Sequence, residues 1–174
     1  MGAGLHRSRA HGRAVGRVHE AAQVTISERL AELGLELPAV VAPLAAYVPA
    51  VQTGNLVYTS GQLPMVGGEL PQTGKVGAEV TAEDAKDLAR TCALNALAAI
   101  HALVGVDSVV RVVKVVGFVA SAPGFNGQPG VVNGASQLLG DVFGDAGVHA
   151  RSAVGVSELP LNAPVEVELI VEVA

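Results

Sequence analysis

The sequence predicts an α+β fold: a mixed β-sheet with two main helices on one face. Three observations carry this. Residues 82–104 have the apolar periodicity of a long helix, residues 165–173 alternate apolar and polar as a half-buried strand does, and the elements run β-β-α-β-α-β-β. Two helices among five strands suit helices segregated to one sheet face better than a doubly wound arrangement.

In chain order, Ile26 to Leu33 reads as a short amphipathic helix, ended by Gly34 and kept from resuming by Pro38 and Pro43. Tyr47 to Gln52 and Leu56 to Ser60 are two β-like runs joined by Thr53-Gly54-Asn55, a turn composition suited to a hairpin. Met65 to Gly77 is glycine-rich and reads as an exposed loop. Thr81 followed by Asp84 resembles a capping box with the shorter Asp in place of Glu, and opens the helix at 82–104. Its apolar stripe is Ala85, Leu88, Cys92, Ala96, Ala99 and Leu103, which suits cover for a sheet. Val109 to Ala120, rich in β-branched residues, reads as a buried strand, and Gly130 to Phe143 as a second helix. Arg151 to Val156 and Val165 to Val173 are the last strands. The final one sets Val165, Val167, Leu169, Val171 and Val173 against Glu166, Glu168, Ile170 and Glu172, so one face is oily and the other mostly charged. The oily face should meet the helices, and a symmetric oligomer is the simplest cover for the other.

With 174 residues, one domain over residues 23–174 is expected, preceded by a disordered leader at 1–22. The net charge of −5 hides an asymmetry: Arg7, Arg9, Arg13 and Arg17 crowd the first seventeen residues, leaving about −9 for the rest. So acidic a body repels a phosphate backbone, and aromatics at 3% offer few rings to stack on bases, so nucleic acid is not an expected partner. No stretch approaches the roughly 20 apolar residues of a membrane span. The single cysteine, Cys92, forms no internal disulfide and suits a reducing, cytoplasmic setting. On the apolar helix stripe it reads as a packed thiol rather than a nucleophile.

The five histidines show no metal-ligand spacing, and the glycine-rich phosphate loops and the G-x-S-x-G elbow are absent, so no metal or cofactor is expected. What remains is Arg151, entering an otherwise apolar strand, and the charged face led by Glu166. Arginine is rarely fully buried without a partner, and its planar fork matches a carboxylate. That carboxylate is either a glutamate of the last strand, in an internal ion pair, or belongs to a small ligand.

At the C-terminus, Ala150-Arg151-Ser152-Ala153-Val154-Gly155-Val156-Ser157-Glu158-Leu159-Pro160 followed by Val165-Glu166-Val167-Glu168 resembles the signature of the RidA/YjgF family of imine and enamine deaminases, also called the L-PSP endoribonuclease family. The resemblance extends through Asn133, Thr59-Ser60-Gly61-Gln62-Leu63-Pro64 and Tyr47. It implies a chorismate-mutase-like fold, a homotrimer with clefts between subunits, and hydrolysis of 2-imino acids, formed from 2-aminoacrylate-type enamines, to 2-keto acids and ammonia. It implies further that Arg151 holds the substrate carboxylate, that Glu166 orients water or moves protons, and that Tyr47, Ser60, Gly61, Asn133 and Ala153 line the cleft. Three departures stand out: Ala153 replaces a frequent cysteine, Ala45-Ala46 replaces a frequent Gly-Pro, and the loop at 65–77 is longer than usual. A non-catalytic binder of small carboxylates and a ribonuclease are the competing readings.

In a plain hairpin of the last two strands, Arg151 would lie opposite Val171 or Glu172 and Glu166 opposite Val156 or Ser157, roughly 15 to 20 Å apart. One small substrate could not touch both. Their cooperation therefore requires another strand between them or a second subunit.

Overall fold

The computed structural model describes Met1, residues 23–40 and residues 46–174. The leader expected at 1–22 thus falls almost wholly outside the described residues, as does Ala45.

The first helix, α1 (Ile26–Glu32), begins with a capping box that the sequence reading passed over: Thr25 Oγ1 accepts from the Glu28 N–H, and the Glu28 carboxylate accepts from the Thr25 N–H. Strands β1 (Ala50–Thr53) and β2 (Leu56–Thr59) form the expected hairpin, with Gly54 at φ 59° in its turn, but Tyr47 lies outside the strand. Helix α2 (Ala82–Val104) starts at Thr81, whose hydroxyl accepts from the Asp84 N–H at 3.1 Å. Asp84 does not complete the box; its carboxylate meets Gln72 Nε2 at 3.4 Å.

The long strand β3 (Val109–Ala120) leads to α3 (Gln128–Phe143), which starts two residues earlier than expected because Pro129 sits in its first turn, where its missing N–H is no loss. Strands β4 (Ala150–Val156) and β5 (Val165–Val173) end the fold.

The sheet order is β1-β2-β5-β3-β4, so β3 lies between the last two strands. β3 runs antiparallel to β5 and parallel to β4, with α3 as the crossover. This excludes the plain hairpin. The segment between β4 and β5 instead wraps over the end of β3, where Ser121 N–H donates to Val156 O and Ala120 N–H to Pro164 O, both at 3.0 Å.

Alternation on β5 has the anticipated result. Val165, Val167, Leu169, Val171 and Val173 are buried beneath α2, whereas Glu166, Glu168, Ile170 and Glu172 are only partly buried on the opposite face. Helix α2 sinks deeper than a single stripe, with Ala89, Ala93, Leu97 and Ile100 also fully buried. Leu103, placed on the stripe by periodicity, is 45% exposed because it lies in the last turn. By length and composition α2 could cross a membrane, contrary to the expectation that no segment comes near a span; half of its most apolar stretch is buried within this fold, as in a core helix. Cys92 is the packed thiol foreseen, with Sγ 3.7 Å from Val165 O and its pKa pushed well up by burial.

The loop at 65–77 is less free than its glycines suggested. Residues 66–69 are exposed, yet Gly74 and Val76 are buried. Val76 exchanges backbone bonds with Ala120 and Ala122, and Gly74 N–H donates to Asn162 O at 2.9 Å, so the loop's second half adds to the sheet's end.

Leu169→Ala should destabilise the protein by about 2–5 kcal/mol through the cavity it leaves under α2, while Leu103→Ala should change stability by less than about 0.5 kcal/mol. Urea unfolding midpoints of the two variants check this.

Candidate functional site

Residues directly opposite one another in adjacent strands share a sheet face. Arg151 is opposite Val115, which is opposite Leu169, and all three face the helices. Glu166 is opposite Phe118, on the other face. The two groups are offset by two strand spacings and three residues, roughly 14 Å between Cα atoms. Within one chain they share no pocket, and the seven candidate residues divide into two groups.

The first group surrounds the guanidinium. Arg151 Nη1 donates to Asn133 Oδ1 at 2.7 Å and to Ser136 Oγ at 3.2 Å, and Nη2 donates to the Pro129 carbonyl at 3.3 Å. All three partners belong to α3, and Asn133 and Ser136 are one helical turn apart. No carboxylate among the described residues lies within 4.0 Å of Arg151, since the ion pairs are Arg29–Glu32, Lys75–Glu158 and Arg90–Asp141. The internal ion pair therefore does not form, and a partly buried cation is held only by neutral oxygens. Three of its five N–H groups are used; the Nε–H and one Nη2–H meet no acceptor among the described residues. Nε and Nη2 form one edge of the planar fork, the geometry that takes a carboxylate with two parallel bonds. Ala153, two residues along β4 on the same face, packs on the core and pairs with Gly117.

The second group surrounds Glu166. β2 leaves regular pairing at Ser60-Gly61: Thr59 Oγ1 accepts the Leu169 N–H at 2.9 Å, and regular exchange resumes between Gln62 and Val167. Gly61 lies directly beneath the Glu166 carboxylate, where a Cβ would overlap Oε1, so glycine makes room for that side chain. The Ser60 hydroxyl donates to Val48 O at 2.6 Å, which ties the segment carrying the exposed Tyr47 beside this bulge. Burial, with a smaller contribution from Glu168, pushes the Glu166 pKa up, and no hydrogen bond opposes it.

Sequence reasoning passed over Ser136 and the Pro129 carbonyl. The spacing of Asn133 and Ser136 on one helix was a signal for the former; no side-chain pattern announces a backbone carbonyl. Two surface concavities along α1 and the end of α3 include neither Arg151 nor Glu166. Among the described residues no group of three His, Cys, Asp or Glu could hold a metal ion.

The raised pKa has a stability consequence. Ionising Glu166 is harder in the folded protein than in the unfolded chain, so stability falls as pH rises from the ordinary glutamate range through the raised folded value. Glu166→Gln should therefore be more stable than the parent at neutral pH, with the difference closing below about pH 4. Urea titrations of both proteins at the two pH values test this.

Comparison with known proteins agrees with the fold. The endoribonuclease L-PSP family profile matches residues 22–173. Protein TCP17 of Trypanosoma cruzi is 46% identical over 84% of this chain and 93% of its own length. A 2-iminobutanoate/2-iminopropanoate deaminase of Dermatophagoides farinae is 36% identical over 74% of this chain and 87% of its own. The crystal structure of Atu1372 from Agrobacterium tumefaciens, a protein of unknown function, superposes with a TM-score of 0.78 at 49% identity, covering 86% of this chain and 92% of that one. With a family match across nearly the whole described chain and relatives this similar, the protein belongs to the endoribonuclease L-PSP family, the RidA/YjgF family that its C-terminal blocks resemble.

Proposed function

We propose that the protein hydrolyses small 2-imino acids to 2-keto acids and ammonia, at a site built from Arg151 of one copy and Glu166 of another. The observation that carries this is the guanidinium without an internal carboxylate, its Nε–H and one Nη2–H without a partner among the described residues while neutral oxygens hold the rest. The deaminase name of the mite relative gives the same substrate class.

The chemistry follows from the residue types. A 2-imino acid such as 2-iminopropanoate carries a carboxylate, which the open edge of Arg151 takes as a charge-assisted pair. Water adds to the imine carbon, the nitrogen gains protons, and ammonia leaves to give pyruvate. Glu166, poised by burial to carry a proton nearer neutrality than an exposed glutamate does, can pass protons between water and nitrogen, a contribution typically worth about 10²–10⁴-fold. A 2-aminoacrylate enamine enters this route after tautomerising to the imine.

Placement on opposite sheet faces makes a second copy necessary to this reading. The open face also exposes Val51, Tyr58 and Val154, apolar surface suited to such a contact. A homotrimer, as the family resemblance implies, would repeat the shared site in each cleft, with Tyr47, Ser60 and Gly61 beside Glu166 and Asn133 and Ala153 beside Arg151. The ribonuclease reading gains nothing from His149, both of whose ring nitrogens are engaged within the chain.

With 2-aminoacrylate generated enzymatically from serine, the protein should accelerate pyruvate release, and Arg151→Ala should lose at least about tenfold while remaining folded. Pyruvate binding without acceleration of any imine would favour a carboxylate binder instead. If the sites are shared, unfolding and reassembling Arg151→Ala with Glu166→Gln in equal amounts should restore about a quarter of the parent activity, since random mixing leaves that fraction of sites with both groups. No recovery would place both groups in one chain's site or remove one from the chemistry. Gly61→Ala, whose added methyl displaces the Glu166 carboxylate, should reduce turnover and leave the melting temperature within a few degrees of the parent.

A further inference from the structure

Behind Arg151 lies a hydrogen-bonded chain that the proposed reaction does not use. His149, just before β4, has Nδ1 2.6 Å from Gly147 O and Nε2 2.9 Å from Ser136 Oγ, and Ser136 Oγ is 3.2 Å from Arg151 Nη1.

The order of donors follows from the groups at the two ends. A carbonyl can only accept, so His149 Nδ1 carries the proton that meets Gly147 O. With that nitrogen protonated, Nε2 of the neutral ring is the acceptor, and the Ser136 hydroxyl donates to it. Ser136 has one proton, so only lone pairs remain for Arg151, whose guanidinium can only donate. Every bond then runs one way, from Arg151 to Ser136 to His149 to the Gly147 carbonyl, an arrangement in which each bond polarises the next.

We propose that His149 is a positioning residue for Arg151: by accepting the Ser136 proton it holds the serine oxygen on Nη1 and keeps the Nε–Nη2 edge aimed outward. Without that acceptor, the hydroxyl's remaining outlet is the carbonyl one turn back in its own helix, that of Val132, and bonding there turns Oγ away from the guanidinium. Arg151 would keep Asn133 and Pro129 but lose one of the three bonds that hold the fork in place. The ligand would then have to order the guanidinium as it binds, which weakens affinity more than it slows chemistry.

This inference rests on the reading of Arg151 as a carboxylate clamp, and its test separates the two. Pyruvate affinity by calorimetry and the kcat and KM of imine hydrolysis would be measured for Arg151→Ala, Ser136→Ala, His149→Phe and His149→Gln. The glutamine Oε1 can stand where Nε2 accepts; phenylalanine keeps a ring and offers no acceptor. His149→Phe and Ser136→Ala should each weaken pyruvate binding and raise KM by about tenfold, with kcat changed less than about twofold, and His149→Gln should recover most of the loss. Nitrogen-resolved NMR of the ring should show the proton on Nδ1. His149→Phe binding like the parent, His149→Gln as weak as His149→Phe, or a proton on Nε2 would overturn the proposal. If Arg151→Ala itself binds pyruvate undiminished, the clamp reading falls and this one with it; if Arg151→Ala loses binding while His149→Phe retains it, only the role of His149 falls.

Discussion

The constraint on which the arrangement depends is the position of β3. By pairing parallel with β4 on one side and antiparallel with β5 on the other, it separates the strand that carries Arg151 from the strand that carries Glu166. The α3 crossover required by the parallel pair brings Asn133, Ser136 and the Pro129 carbonyl onto the guanidinium. Thus the element that closes the parallel connection also builds the cation's cradle. Gly117 has a part in this, because a Cβ there would overlap the Val132 side chain and push α3 off the sheet.

The two half-sites are opposite in their electrostatics. Around Arg151 the chain supplies acceptors without charge, so the guanidinium is oriented while its charge is left uncompensated by any described carboxylate. Around Glu166 it supplies burial and a second carboxylate, Glu168, which together favour the protonated form. Each half alone is an incomplete environment for an ion. In the proposed shared site, a ligand with a carboxylate at one end and a group exchanging protons at the other would relieve both.

How much of this was legible in the sequence depends on the range of the interaction. Helix α2 and strand β5 could be read with their observed ends because their periodicity is local. The strand order could not, since a period of two tells which residues share a face and not which strand lies beside which. The hairpin arithmetic carried the argument to the need for an intervening strand or a second subunit; the register adds that the faces are opposite. The loop at 65–77 was misread for the same reason: burial of Gly74 and Val76 comes from backbone bonds to Asn162 and Ala120, far away in sequence. The capping box at Thr25 and Glu28 was fully local and simply passed over.

For the site residues the division is sharper. Chemistry pointed to Arg151 and to the charged face led by Glu166 from residue type, whereas the role of Glu166 and the places of Tyr47, Ser60, Gly61, Asn133 and Ala153 came from family resemblance. Geometry now supplies physical reasons for two of these: Gly61 is the space that Glu166 fills, and Asn133 accepts one of the guanidinium's bonds. Ser60 works differently from a simple ligand contact, since its only proton is committed to Val48 O. It can still accept a bond, but its structural work is to hold the Tyr47 segment at the edge of the carboxylate half-site. The second half of the 65–77 loop, tied to Ala120, Ala122 and Asn162, lies at the same end of β3 as Phe118, the residue opposite Glu166.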